Sequence, residues 1–250
     1  MHYNHDKPLG IVLSTVTDSS LSSLINLAQH AEKCGLDSVY VNEGRGDALG
    51  VSLAIALKTS KIGVGTNIAN IYFRTPYLAA QSIRILTEAS RGRARIGFGI
   101  SHRDILRSIG IEMGDARAKL EQYITTVKSH LRKSHTDNAR QEKTPPTSIF
   151  AAANTAESAK VAGKVADGIM PYLTPISSIH RLIQSTNLVS TRAIEPKDFK
   201  CILSIPTFIS ENEKEAVSAA KYNLAFFANL PNYRRQWRRA GFSRDMDIIK

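Results

Sequence analysis

Residues Lys61 to Ser101 read KIGVGTNIANIYFRTPYLAAQSIRILTEASRGRARIGFGIS, and this stretch decides the fold class. Two short runs, Ile62 to Thr66 and Ala94 to Gly99, are dotted with glycine and end in small or polar residues. Between them, Thr75 to Ser90 spaces Leu78, Ala79, Ser82, Ile83, Leu86 and Ala89 as one face of an amphipathic helix, with Pro76 in its first turn. Strand, helix, strand is a βαβ unit, and its crossover is right-handed. Gly63, Gly65, Gly97 and Gly99 lie inside the strands. There glycine marks either tight packing in a barrel or a bulge that a ligand approaches closely, and spacing alone leaves both open.

The pattern repeats outward from this unit. Leu9 to Ser14 is a strand, and Asp18 to Ser20 offer caps for a helix whose apolar face is Leu21, Leu24, Ile25, Ala28 and Ala31. Gly35 ends that helix, Ser38 to Val41 is strand two, and Asp47 caps a helix reaching Lys58. After Ser101, His102 to Asp115 reads as a loop. A helix follows with Ala116, Leu120, Tyr123, Ile124, Val127 and Leu131 on one side. Residues 132–146 are polar and aperiodic, a surface linker within one domain. Ser148 to Ala152 is strand five. Asn154 or Thr155 caps the next helix, with Glu157 spaced for a capping box from Asn154. Gly168 to Tyr172 is strand six, Pro175 to Ser185 a helix, and Phe199 to Ile209 strand seven. Glu211 to Asn229 is the last clear helix, packing through Val217, Ala220, Leu224 and Phe227. Seven strand–helix repeats suit an open doubly wound sheet or a (β/α)8 barrel, and eight short units wind naturally into the barrel. No eighth strand is expected after Phe242.

The chain has 250 residues, a common length for a one-domain α/β barrel, so residues 1–250 are read as one domain. No apolar run approaches the roughly 20 residues of a membrane span, and no membrane partner is expected. The N-terminal MHYNHDKP lacks the pattern of a secretory signal, and Cys34 and Cys201 form no metal or redox spacing, so the cytoplasm is expected. His2, His5, His30, His130, His135 and His180 show no metal-ligand spacing, and no metal is expected. The net charge is +11, concentrated in part in Tyr233-Arg234-Arg235-Gln236-Trp237-Arg238-Arg239. Nothing resembling a nucleic-acid module accompanies that run. It reads as a helix face that is solvated or packs its arginine stems, and no nucleic-acid partner is expected. General basicity suits an anionic small molecule.

Four segments together resemble the luciferase-like monooxygenase superfamily, especially its branch using the deazaflavin coenzyme F-420. They are AEKCGLDSVYVNEG, KIGVGTNIANIYFRTP, GRARIGFGISHR and AGKVADGIM, and weaker similarity runs on to NYRRQWRRAGF. The resemblance implies a (β/α)8 TIM barrel, here lacking the eighth strand–helix unit, and a homodimer. It also implies a flavin or deazaflavin at the C-terminal ends of the strands, where barrel active sites lie. On that resemblance Glu43 follows strand two where relatives contact the coenzyme ring. Asn67 and Ile68 fall on the strand-three bulge, where many relatives have a non-proline cis peptide. Gly99, Ile100, Ser101 and His102 end strand four, where relatives contact ring and tail. Asn154 and Thr155 open the helix after strand five, where relatives hold the coenzyme phosphate. Independently, the free N–H groups of a first helical turn make an anion site, though capping alone also explains both residues.

His102 is the first candidate for proton transfer, because imidazole titrates near neutral pH and this one follows a strand end. Glu43 is the second, unless it pairs with Arg45 or Arg103. Arg74 either reaches an anionic tail or forms a structural ion pair. A histidine that some relatives carry after strand two is Gly44 here. Three functions are consistent with this reading. One is an F-420-dependent oxidoreductase moving hydride to or from a small organic substrate. Another is an FMN-dependent monooxygenase served by a flavin reductase. The third is an inactive or flavin-binding truncated paralogue.

Overall fold

The run Ser38-Val39-Tyr40-Val41 has no polar face, and all four residues are buried, as in a parallel strand covered on both sides. The same logic recurs along a computed structural model that describes residues 8–16, 19–132, 147–187 and 198–248. Its strands are β1 Gly10–Leu13, β2 Ser38–Val41, β3 Gly63–Asn70, β4 Ala94–Gly99, β5 Ser148–Ala152, β6 Gly168–Met170 and β7 Lys200–Cys201. The helices α1 Leu21–Lys33, α2 Ala48–Lys58, α3 Pro76–Ala89, α4 Arg103–Ser108 and α5 Ala116–Arg132 belong to the first half. α6 Ala156–Val165, α7 Ile176–Asn187, α8 Glu213–Ala228, α9 Pro231–Arg239 and α10 Ser243–Ile248 complete the chain.

Every neighbouring pair of strands is parallel, and the spatial order is β1-β2-β3-β4-β5-β6-β7. An order that never reverses carries every crossover the same way round. The helices therefore cover one face and the sheet curls, as in a TIM barrel and unlike a doubly wound sheet. Among the described residues β1 and β7 pair with one neighbour each, so the barrel has seven strands and an open side. One apolar cluster fills the layer between sheet and helices. A second, Tyr40, Phe150 and Met170 with Ile68 and Ile202, lies apart from it. A third, Leu173, Ala228, Tyr233, Trp237 and Met246, binds the last helices to the loop after β6.

The strand glycines serve packing. A Cβ on Gly65 would stand 1.6 Å from the Arg95 carbonyl oxygen, and one on Gly97 2.2 Å from Met170 Sδ. β3 runs past Thr66 to Asn70 because its register shifts between Thr66 and Ala69, around a cis peptide joining Asn67 to Ile68.

Several expectations need correction. The buried arc of α3 is Ala79, Ala80, Ile83, Leu86 and Thr87, while Leu78 is exposed, since α3 packs against α2 and α5 as well as β4. Leu21 of α1 is likewise exposed. The expected loop His102 to Asp115 contains α4. Strand seven shrinks from Phe199–Ile209 to two residues plus a bridge from Ser204 to Tyr172. Pro206 lacks an N–H, and no described strand lies on the far side to hold a longer run. Val217 and Leu224 of α8 are exposed, and Ala228 is its buried residue. Of the expected linker 132–146, Arg132 is the last residue of α5, and 133–146 lie outside the described residues.

Candidate active site

The ends of β2 and β3 are locked by one buried ion pair. Glu43 N–H donates to the Ile68 carbonyl at 3.1 Å, tying the loop after β2 to the bulge. The Glu43 carboxylate accepts from Asn70 N–H at 2.5 Å, from Ala48 N–H at 3.3 Å and from both terminal nitrogens of Arg74. Arg74 also reaches Asp47 Oδ1 at 3.0 Å, and Tyr123 Oη donates to the Arg74 carbonyl at 3.1 Å. Burial works against the Arg74 charge, but the hydrogen bonds and charge of Glu43, with Asp47, outweigh it and raise its pKa. Burial likewise pushes the Tyr123 phenol up to about 12. Glu43 thus pairs with Arg74 rather than Arg45 or Arg103. Its side chain is 2% exposed, and both of its oxygens are engaged by the bulge and Arg74.

Asn67 Nδ2 donates to Ser204 Oγ at 2.6 Å, linking the bulge to the chain beyond β7. The Ile68 side chain packs with Tyr40, Phe150, Met170 and Ile202, and a Cβ on Gly99 would strike it at 2.6 Å. Gly99 is therefore required by Ile68. Beyond it, Ile100 packs partly against the core, and Ser101 takes a left-handed φ of 59° that redirects the chain. The His102 ring then lies 6.0 Å, centroid to centroid, from Tyr233. Burial lowers the His102 pKa, with Asp104 opposing, so the imidazole is neutral at neutral pH.

Thr155 caps α6, its Oγ1 accepting from Ser158 N–H at 3.2 Å while Thr155 N–H donates to Ser158 Oγ at 3.0 Å. The capping box is Thr155–Ser158, correcting Asn154–Glu157. Asn154 Oδ1 instead accepts from Tyr172 N–H at 2.9 Å and Thr174 Oγ1 at 3.4 Å. The Glu157 carboxyl is held below its usual range by its own N–H and by Thr155, then by Arg239 and Arg117.

All nine residues named from sequence line one cleft of about 2290 Å³ at the strands' C-terminal ends, which extends down the open side between β1 and β7. Drug-sized sites run to about 1,000 Å³, so the space admits a large coenzyme and a substrate together. Sequence reasoning missed Tyr172, Phe227, Tyr233, Arg103, Arg117, Arg235 and Arg239, which also line it. The signal was present for α9: Tyr233, Gln236 and Trp237 recur at i, i+3, i+4 and are buried. Trp237 Nε1 donates to the Leu173 carbonyl at 2.9 Å and Gln236 Nε2 to Thr174 Oγ1 at 2.7 Å. That face docks the arginine-rich run over the cleft.

Among the described residues no group of His, Cys, Asp and Glu is placed to hold a metal, and no helix is long and apolar enough to cross a membrane. The chain is 23% identical over 224 residues to 5,10-methylenetetrahydromethanopterin reductase of Methanolobus tindarius, covering 84% of this chain and 69% of that one. Coenzyme F-420-dependent tetrahydromethanopterin reductase from Methanopyrus kandleri superposes with a TM-score of 0.73 at 19% identity, over 90% of this chain and 73% of its own. EDTA monooxygenase from Chelativorans sp. BNC1 gives 0.69 at 13% identity, over 92% and 72%. These likenesses agree with the curled parallel sheet. Residues 8–250 match the family model described as luciferase-like monooxygenase, and the chain belongs to that family of enzymes.

Proposed function

We propose that the protein is an oxidoreductase that binds coenzyme F-420 in this cleft and acts on a small organic substrate. The observation that carries the choice of coenzyme is a set of four arginines. Arg103, Arg117, Arg235 and Arg239 line the cleft, and none takes part in the ion pairs found among the described residues. They outnumber the three carboxylates that line the same cleft, Glu43, Asp115 and Glu157, and Glu43 is already paired with Arg74. F-420 carries a phosphate and an oligoglutamate tail, so this donor set fits a longer polyanion than FMN. The bound coenzyme supplies a two-electron hydride.

The chain's own residues do the rest. The Thr155 hydroxyl, at the positive end of the α6 dipole, faces the cleft as a phosphate donor. Glu43 and Arg74 fix the bulge, so Asn67 and Ile68 form a rigid floor. His102, neutral and at the cleft wall, accepts or returns the substrate proton.

Calorimetric titration of cofactor-free protein with F-420 and, in parallel, with FMN tests this reading. Saturable F-420 binding at one site per chain, weakened about tenfold by Arg235→Ala with Arg239→Ala, is the expected result. Preference for FMN, unaffected by that change, would transfer the reading to a monooxygenase drawing reduced flavin from a separate reductase. Binding of neither by folded protein refutes both.

A further inference from the structure

One wall of the cleft is aromatic. Tyr172 at the end of β6, Phe227 of α8 and Tyr233 of α9 pack edge to face, with centroids 5.3, 5.2 and 6.4 Å apart for 172–227, 227–233 and 172–233. All three line the cleft. Edge-to-face stacking leaves apolar ring surface for a further flat ring.

Two polar groups on this wall lack a hydrogen-bond partner among the described residues. One is the Tyr172 hydroxyl, since only its backbone N–H is engaged. The other is the amide oxygen of Asn223, one helical turn before Phe227 on α8 and therefore on the same face. Folded proteins rarely leave a buried group such as the Asn223 oxygen unpaired, and the Tyr172 hydroxyl beside it is free to donate into the cleft. The Tyr172 ring is held in place by its neighbours, by Asn154 Oδ1 on its N–H, and by the bridge to Ser204. Burial raises its phenol pKa, so at neutral pH the hydroxyl is protonated and can donate.

We propose that this wall seats the organic substrate as a flat apolar ring bearing a carbonyl oxygen, and that Tyr172 Oη donates the hydrogen bond that selects it. The inference rests on the oxidoreductase reading and deepens it by naming a substrate class and a specificity-determining residue.

Acetophenone and α-methylstyrene make a matched pair of probes, equal in shape but differing as C=O and C=CH2. Ligand-observed NMR titrations compare wild type with Tyr172→Phe, which keeps the ring and its edge contacts. Tyr172→Phe weakens acetophenone about tenfold and moves α-methylstyrene by less than about twofold. Equal weakening of both, no change for acetophenone, or no saturable acetophenone binding to wild type overturns the proposal. Phe227→Leu removes ring surface but no hydrogen bond, so it weakens both probes alike; a protein indifferent to that change refutes the aromatic seat, whether or not Tyr172→Phe folds. The coenzyme titration is a separate readout. Discrimination between the probes without coenzyme binding strikes the oxidoreductase reading alone, and coenzyme binding without discrimination strikes this inference alone.

Discussion

Glu43→Gln removes the charge from the buried pair that locks β2 to β3. The Glu43 side chain is 2% exposed and that of Arg74 9%, so neither charge regains water when its partner is lost. Breaking such a pair costs about 3–5 kcal/mol, mostly from the charge left behind. Two features place this change at the low end, about 3 kcal/mol. Glutamine keeps an oxygen for the Asn70 N–H, and Asp47 Oδ1 still meets Arg74 at 3.0 Å. For a chain of this size that lowers Tm by about 6–12 °C. Thermal unfolding followed by circular dichroism, with urea titration to convert midpoints to free energies, measures it. Adding Arg74→Met closes a double-mutant cycle, and the double variant recovers part of the loss because no unpaired charge stays buried. A single-variant loss below about 1 kcal/mol, or strict additivity in the cycle, would refute the view of Glu43 as the clamp of the bulge.

Two further outcomes follow from named contacts. Burial sets the folded pKa of His102 below its ordinary 6.5, so the unfolded chain takes up that proton more readily. The resulting stability is fully present above the ordinary value and is lost as pH falls through the folded one. Acidification from about pH 7 to about pH 5 therefore lowers the Tm of wild type more than that of His102→Gln, and equal slopes would show the ring is not buried in its neutral form. Gly65→Ala drives a Cβ to 1.6 Å from the Arg95 carbonyl, a backbone atom of the paired strand that cannot rotate away. Its expected loss exceeds about 4 kcal/mol, seen as failure to recover folded, soluble protein, and a normal melt would refute the packing role of that glycine.

What the sequence determined by itself follows from local chemistry. Ser38–Val41 and Ser148–Ala152 were legible because parallel strands covered on both faces are short apolar runs bounded by polar turns. Asp47 announced its helix because a cap needs only its own next three residues. The resemblance placed the cleft-lining residues, since strand ends are fixed by the same runs.

Partners distant in sequence were decided only by the tertiary structure. Nothing near Glu43 points to Arg74, and nothing near Asn67 to Ser204, 137 residues away. Asn154 looked like a cap because capping is a local rule; its real partners, Tyr172 and Thr174, lie on a later return of the chain to the same rim. The arginine-rich run was ambiguous as sequence, since charge alone does not say what a helix faces. Burial of Tyr233, Gln236 and Trp237 turned it over the cleft mouth. Strand seven failed in the other direction: β-propensity proposes a strand, but a strand persists only where a neighbour completes its hydrogen bonds, and beside β7 the described barrel is open.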